Sequence, residues 1–565
     1  MAMQARTLFH PVALAALLTA PFTTSAQQLM PDSTALRHLR TDVYTLADDS
    51  MLGRETGTKG EQMAAAYIMD RFRQLGLAPK GDDHTYLNAF QFAALPRTGP
   101  DNTLQLGRQT LKLGEAFYPL GYSANAQVLT RVARCKYGIL APELGRNDFD
   151  GVDVKDHAAC MSISSPDGIH PHSKWLAHND LRSRINDAVK LGANAVIFYN
   201  DAPDMANDPP ADFEMKLLPS TVPVVFLTKS GLEKLGQDGD PVVIHTDIIR
   251  EEKTGHNVIG YVGNGKPYTV VIGAHYDHLG MGGEGSLYRG EPAIHNGADD
   301  NASGVAVLLQ LAADLQNMPN ARNNNYLFMA FSGEEKGLYG SNAWTKHPTL
   351  PIDSLNYMIN MDMVGRLDSA SNLAINSIGT SPSWPGITKL KVGGLSIKTT
   401  EGGVGPSDHT SFYLQGVPAI HFFTGSEPDY HKPSDDADKL DYPGMLRIAR
   451  YIEAVVTTLK DSTKLAFTKT ADTDTSKAPR FSVTLGVVPD YMYDGRGLRI
   501  DGVDDGKTAS AAGLKKGDIV IKMGDFEVPD MMGYMKALGM FKKGDKTQVT
   551  VLRDGKEVKA EVKFQ

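Results

Sequence analysis

Histidines and acidic residues recur in a series of short motifs between His275 and His431, and they are the residue types that bind metal ions or move protons. His275, Tyr276 and Asp277 follow the β-branched run Thr269 to Ile272, which reads as a buried strand, so the imidazole stands at a strand's carboxyl end. Asp299, Asp300 and Asn301 come next, just before a helical pattern of Val305, Leu308, Leu311, Ala312 and Leu315 that stops ahead of Pro319. Ser332, Gly333, Glu334 and Glu335 close a further strand pattern, and Asn360, Met361 and Asp362 close another. Ser407, Asp408 and His409 follow a glycine-rich loop, and Tyr430 with His431 lies beyond the apolar run Ala419 to Phe423.

Adjacent carboxylates such as Glu334 and Glu335 point in different directions on an extended backbone, so one can bind metal while the other acts as a base. Ligands this scattered need a scaffold that folds first, which is the manner of a catalytic rather than a structural metal site. Charge balance favours two ions. Two Zn2+ are neutralised by Asp300, Glu335 and Asp362 with one hydroxide, whereas a single ion with three carboxylates would be a weaker Lewis acid. Each ion then takes one histidine and one carboxylate, and Asp300 bridges them across about 3.5 to 4 Å.

The elements that must carry these residues alternate between strand and helix from Gly255 to about Lys460. Strands are expected at Thr269 to Ile272, Tyr326 to Phe331, Tyr357 to Met361 and Ala419 to Phe423, with helices at Ser303 to Asn317 and Met445 to Leu459. That predicts an α/β fold with a mostly parallel central sheet and helices on both faces, whose sites open at the carboxyl ends of the strands. Asp32 to Leu77 reads as helical, split by the polar turn-rich segment Leu52 to Thr58 and stopped by Gly76.

At 565 residues the chain exceeds a single core. Short strands at Ala126 to Val132, Ala158 to Ile163, Ala195 to Tyr199 and Val222 to Leu227, with a helix at Arg184 to Leu191, predict a small α/β module that interrupts the first domain over 107–250. The segment 466–479 is poor in large apolar residues and reads as a linker. Residues 480–565 read as a compact, mostly β domain. Arg6, the apolar run Val12 to Leu18 and the small residues Thr24, Ser25 and Ala26 read as a secretory signal over 1–26, which predicts a periplasmic or secreted protein.

A formal charge of -9 argues against a nucleic-acid partner, and no stretch after the signal has the roughly 20 apolar residues of a membrane span. The two cysteines, Cys135 and Cys160, are left open between a disulfide and two buried thiols, and their spacing does not suit zinc. His170, His172 and His178 lack a carboxylate or thiol partner at sensible spacing and read as a solvated loop.

Taken together and in this order, HYD, GADDNASG, SGEE, NMD, SDH and YHKPSD closely resemble the co-catalytic zinc aminopeptidase family, whose relatives include glutamate carboxypeptidase II, glutaminyl cyclase and the transferrin receptor. The resemblance covers about Asp32 to Leu106 and Gly255 to Lys460, within a zinc peptidase domain expected over 27–106 and 251–465. It implies two Zn2+ per chain, with His275, Asp300, Glu335, Asp362 and His431 as ligands and Asp300 as the bridge. It further implies Glu334 as general base on a metal-held water, Asp277 as the orienting partner of His275, and Tyr430 as a group that steadies the oxyanion. In that family the peptide bond after the bridging aspartate is cis, here Asp300 to Asn301. His278, His295 and Asp299 are expected off the metal, and Asp408 and His409 behind the ligands or in the pocket wall. Glu401 to Pro406 and Phe412 are candidates for that wall.

The module at 107–250 resembles a protease-associated domain. Residues 480–565 resemble a PDZ domain, with Leu485 to Val488 in place of its carboxylate-binding loop, which implies a C-terminal peptide as ligand. The activity implied is removal of N-terminal residues from peptides. The alternatives are a dipeptidase or carboxypeptidase of the same chemistry, glutaminyl cyclisation with one zinc, and a receptor-type binding protein on the same fold, whose ligand set would be incomplete.

Overall fold

The computed structural model describes residues 30–168, 173–175, 178, 180–202, 205, 207–209, 219–283, 285–288, 290–459, 463–470, 483–489, 496–503, 507–524, 526–528, 531–538 and 540–564. The expected signal over 1–26, His170, His172 and most of the expected linker lie outside the described residues.

Strands and helices of the central domain run α1 (Asp32–Leu46), α2 (Lys59–Leu75), β1 (Leu87–Ala93), β2 (Glu252–Val262), β3 (Thr269–His275), α3 (Gly304–Leu315), β4 (Asn325–Phe331), β5 (Leu355–Met361), β6 (Asn372–Asn376), β7 (Ser396–Thr399), β8 (Ala419–Phe423) and α4 (Tyr442–Thr458). They build one sheet in the order β2-β4-β3-β5-β8-β6-β7, with β1 also paired to β2. The four strands β4, β3, β5 and β8 are parallel, and antiparallel pairing joins β2 to β4 and β6 to β8. Every residue of those four strands is buried, which explains their nearly continuous apolar composition.

Alternation along β3 divides the core. Val270, Ile272 and Ala274 pack with α1, α2, α3 and α4, and Val271 faces the other way onto Leu327, Met329, Phe331, Trp344 and Phe412. All twelve residues of α3 are buried, so this helix is enclosed on every side. The helical split expected before Gly76 is present: α1 ends at Leu46, a 3-10 turn spans Asp49–Arg54, and α2 ends on Gly76 in the left-handed conformation.

A second, eight-stranded sheet contains Ala126–Arg134, Ala158–Ser162, Ala195–Tyr199, Val224–Leu227 and Pro241–Thr246, with the helix Leu181–Lys190 against it. Thr103–Leu106 pairs with Pro241–Thr246 in this sheet, so the insertion begins earlier than residue 107. Where the chain leaves and returns, Arg97–Thr98 and Ile248–Ile249 pair antiparallel. Cys135 and Cys160 are free, buried thiols, which settles the pairing left open by the sequence. Burial pushes Cys135 up to about 12 and Cys160 higher still, so neither is a thiolate at neutral pH.

A third sheet comprises Val487–Pro489, Leu498–Val503, Ile519–Met523, Phe526–Glu527, Lys546–Arg553 and Lys556–Lys563, packed with the helix Met531–Leu538. The first residues of the expected linker belong to the central domain instead: Thr468 donates its amide to the Thr380 carbonyl, and Thr470 to the Tyr413 hydroxyl. Among the described residues, no helix is long and apolar enough to cross a membrane.

Candidate metal centre

The carboxyl ends of the parallel strands deliver the sequence-predicted residues to one place. His275 ends β3, Glu334 and Glu335 follow β4, Asp362 follows β5, and His431 lies on the loop after β8. Asp300 comes from the turn ahead of α3, where the peptide bond to Asn301 is cis.

His275 Nε2 lies 3.2 Å from an oxygen of Asp300 and 3.2 Å from an oxygen of Asp362. His431 Nε2 lies 3.2 Å from the other oxygen of Asp300 and 3.3 Å from Glu335. Asp300 is therefore shared between two nitrogen-and-oxygen clusters. The outer nitrogens face away: His275 Nδ1 is 3.2 Å from the Asp277 carbonyl and His431 Nδ1 is 2.8 Å from that of Gly285. A ring that donates from Nδ1 to a carbonyl presents a lone pair on Nε2, the tautomer suited to a metal. One imidazole and two carboxylate oxygens per cluster match zinc chemistry and leave a coordination position for water or substrate. These residues fit a pair of divalent cations.

Residues 257–456 match Peptidase family M28, and residues 472–564 match the PDZ domain. The central domain belongs to peptidase family M28. The chain is 30% identical over 294 residues to Aminopeptidase YwaD of Bacillus subtilis (strain 168), which spans 48% of this chain and 59% of that protein, under two thirds of its length. It is 25% identical over 431 residues to the Probable lipoprotein aminopeptidase LpqL of Mycobacterium tuberculosis, spanning 69% of this chain and 77% of that one. A solved aminopeptidase from Aneurinibacillus sp. strain AM-1 aligns over 78% of this chain and 97% of its own, at 22% identity and a TM-score of 0.43.

Electrostatics in the M28 domain are set by this crowding of acids. Burial alone would lower the His275 imidazole, but Asp362 and Glu334 hold it well above its ordinary value. His431 is raised likewise, by Glu335 and Asp300 against burial. Burial opposes ionisation of Glu335, yet His431 and His278 bring it down to about 2. Glu334 moves the other way, well above the usual carboxylate range, because burial and the charges of Asp362, Glu335 and Asp408 outweigh His275. Adjacent residues thus differ: Glu335 is poised as an anion and Glu334 as a proton acceptor at higher pH.

The open cavity of the M28 domain is lined by Glu334, Asp362, Met363, His421, Tyr430 and His431, among others. Tyr430 stacks on His431 with ring centroids 3.8 Å apart. Pro406 reaches the lining, as expected of its loop. Phe412 does not. It is fully buried against Phe331 and Trp344, behind the wall. Asp408 and His409 are also fully buried, and His409 stacks on His421 at 4.8 Å.

Four participants escape sequence reading. His278, expected off the metal, places Nδ1 2.7 Å from Glu335 and is fully buried, so it fixes which oxygen of Glu335 turns inward. Asp435 accepts the amides of Asp299 at 3.0 Å and Asp300 at 3.1 Å, anchoring the bridging turn to the His431 loop. Thr56 donates to Asp277 at 2.8 Å, and Arg54 is buried beside them. Only Asp435 carries a sequence signal, as the last residue of YHKPSD.

Proposed function

We propose that this chain is a zinc-dependent aminopeptidase that removes N-terminal residues from peptides, using two Zn2+ at the M28 centre. The observation that carries this reading is the shared Asp300, with an imidazole and a further carboxylate at each of its oxygens and Glu334 alongside. His275, Asp300 and Asp362 hold one ion, and Asp300, Glu335 and His431 the other. Bound there, the ions supply Lewis acidity toward a water and the scissile carbonyl. Glu334 accepts the proton of the attacking water and returns it to the leaving amine. Tyr430, in the cavity wall, steadies the charge that develops on the carbonyl oxygen. Asp277 keeps His275 in the required tautomer.

The remaining parts of the proposal follow from sequence. The signal-like segment over 1–26 makes the protein periplasmic or secreted, the inserted module that begins before residue 107 is a protease-associated domain, and the PDZ domain takes a peptide with a free C-terminus along its sheet edge. The test is hydrolysis of an aminoacyl reporter with a free amine beside the same reporter N-acetylated. Cleavage of the free form alone, lost on chelation and restored by zinc, is expected. Equal cleavage of both forms, or none by metal-replete protein, overturns the proposal.

A further inference from the structure

Arg54 has no exposed surface, yet it carries a positive charge into the interior. Its Nε donates to the Tyr276 carbonyl at 2.7 Å, Nη1 to the carbonyls of Asn296 at 2.6 Å and of Leu46, and Nη2 to the Gly297 carbonyl at 2.9 Å. One rigid, planar fork therefore joins three chain segments. Tyr276 stands between His275 and Asp277, and Gly297 opens the turn that contains Asp300. The guanidinium thus spans the two loops that bring the first metal cluster together.

The backbone around it is shaped for close approach. Gly53 has φ 65, and a Cβ there would lie 2.4 Å from the Gly280 carbonyl oxygen and 2.7 Å from that of His295. Gly280 and His278 return their amides to the carbonyls of Gly53 and Arg54 at 2.9 and 3.3 Å. Next along, Glu55 pairs with Lys336 at 2.8 Å, directly after Glu334 and Glu335. Glu61 then accepts from Ser332 at 2.8 Å and from the His256 amide at 2.7 Å. Each loop that brings a ligand from β3, β4 or the bridging turn is thereby held by the segment Gly53 to Glu61, which lies outside the matched residues 257–456. Burial lowers Arg54 to about 10, so it stays charged at neutral pH beside Asp300, Asp435, Asp277 and Glu335.

We propose that Arg54 is a positioning residue of the metal centre: it sets the separation of the His275 and Asp300 loops, so metal affinity depends on a segment 222 residues before Tyr276 in the chain. The inference rests on the proposed zinc site. It predicts that loss of the fork loosens the metal cluster before it unfolds the domain.

The test is zinc affinity, measured on the full chain by competition with a chromophoric chelator, for Arg54→Lys and Arg54→Met. The control is Arg184→Met, since Arg184 is equally buried but in the inserted module, donating to the carbonyls of Ser162 and His178. Lysine keeps the charge but cannot reproduce the planar fork. Both Arg54 variants should weaken zinc binding, Arg54→Met by about 10- to 100-fold and Arg54→Lys by less. Arg184→Met should lower the melting temperature and leave zinc affinity unchanged. Should Arg54→Met fail to fold, Arg54→Lys decides. Wild-type zinc affinity in a folded Arg54 variant, or an equal loss in Arg184→Met, overturns the inference. A wild-type chain that binds no zinc overturns the metal site itself.

Discussion

One oxygen of Asp277 receives the backbone amide of Glu334 at 3.2 Å and lies 3.7 Å from Nδ1 of His275. A single buried carboxylate thereby serves both the strand end that carries a metal ligand and the one that carries the proposed base. Asp277→Ala should lower zinc affinity by about 10- to 100-fold and reduce turnover as well, because the Glu334 amide loses its acceptor and His275, still bonded to the main-chain carbonyl of residue 277, loses the carboxylate charge beside Nδ1. Asp277→Asn keeps an oxygen for the Glu334 amide and should lose less of both. Zinc competition titrations beside steady-state rates on the two variants check this, and an effect on only one of the two quantities in Asp277→Ala contradicts the shared role.

Glu334 and Asp362 separate chemistry from metal binding. Glu334→Gln keeps the volume and polarity but not the basicity, so it should retain two zinc ions and lose about 10²- to 10⁴-fold in turnover. Asp362→Ala should lose zinc from the His275 cluster only, leaving about one equivalent, whereas Asp300→Ala should lose both. Elemental analysis of the purified variants gives the counts. Full zinc content in Asp362→Ala removes that residue from the ligand set.

Three of the five ligands were legible in the sequence because each lies at the end of a strand whose apolar run announces it. His275, Glu335 and Asp362 inherit their placement from β3, β4 and β5, and these strands need no long-range information to be recognised. The braces are another matter. Arg54 and Tyr276 are 222 residues apart, and the hydrogen bond between them joins a side chain to a main-chain carbonyl, which leaves no periodicity and selects no residue type at position 276. The polar segment Leu52 to Thr58 therefore looks like any solvated turn until the fold closes over it. β2 was missed for a related reason: Lys253, His256 and Asn257 break its apolar pattern, and they are tolerated because Asn257 bonds to Asn88 and the Gly340 carbonyl inside the domain.

His278 holds Glu335 through a 2.7 Å contact to one carboxylate oxygen, while the other lies 3.3 Å from His431. Removing that hold frees Glu335 to rotate, so His278→Ala should weaken the His431 cluster selectively. The expected result is a biphasic zinc titration, with one site near wild-type affinity and the other weaker by about 10-fold or more. His278→Asn, which can still donate to Glu335, should restore much of the loss. A single unchanged affinity for both sites in His278→Ala sinks the assignment.

Far from the metal, Glu453 on α4 and Asp314 on α3 share the guanidinium of Arg450, at 2.9 and 3.0 Å, with both carboxylates almost wholly buried. Burial, and then the charge of Asp314, push Glu453 up to about 8 despite Arg450. In the unfolded chain a glutamate releases its proton near pH 4.3. Between that value and about 8 the folded protein therefore binds a proton that the unfolded chain has given up. Stability contributed by this group is complete at the acid end of the window and drains away as pH rises through it, at most about 1.4 kcal/mol per pH unit. Glu453→Gln is neutral in both states and removes the slope. Thermal melts of the chelated protein from pH 5.5 to 8.5 should show the wild type falling progressively relative to Glu453→Gln, and parallel curves across that range would mean that Glu453 is not protonated in the folded chain there.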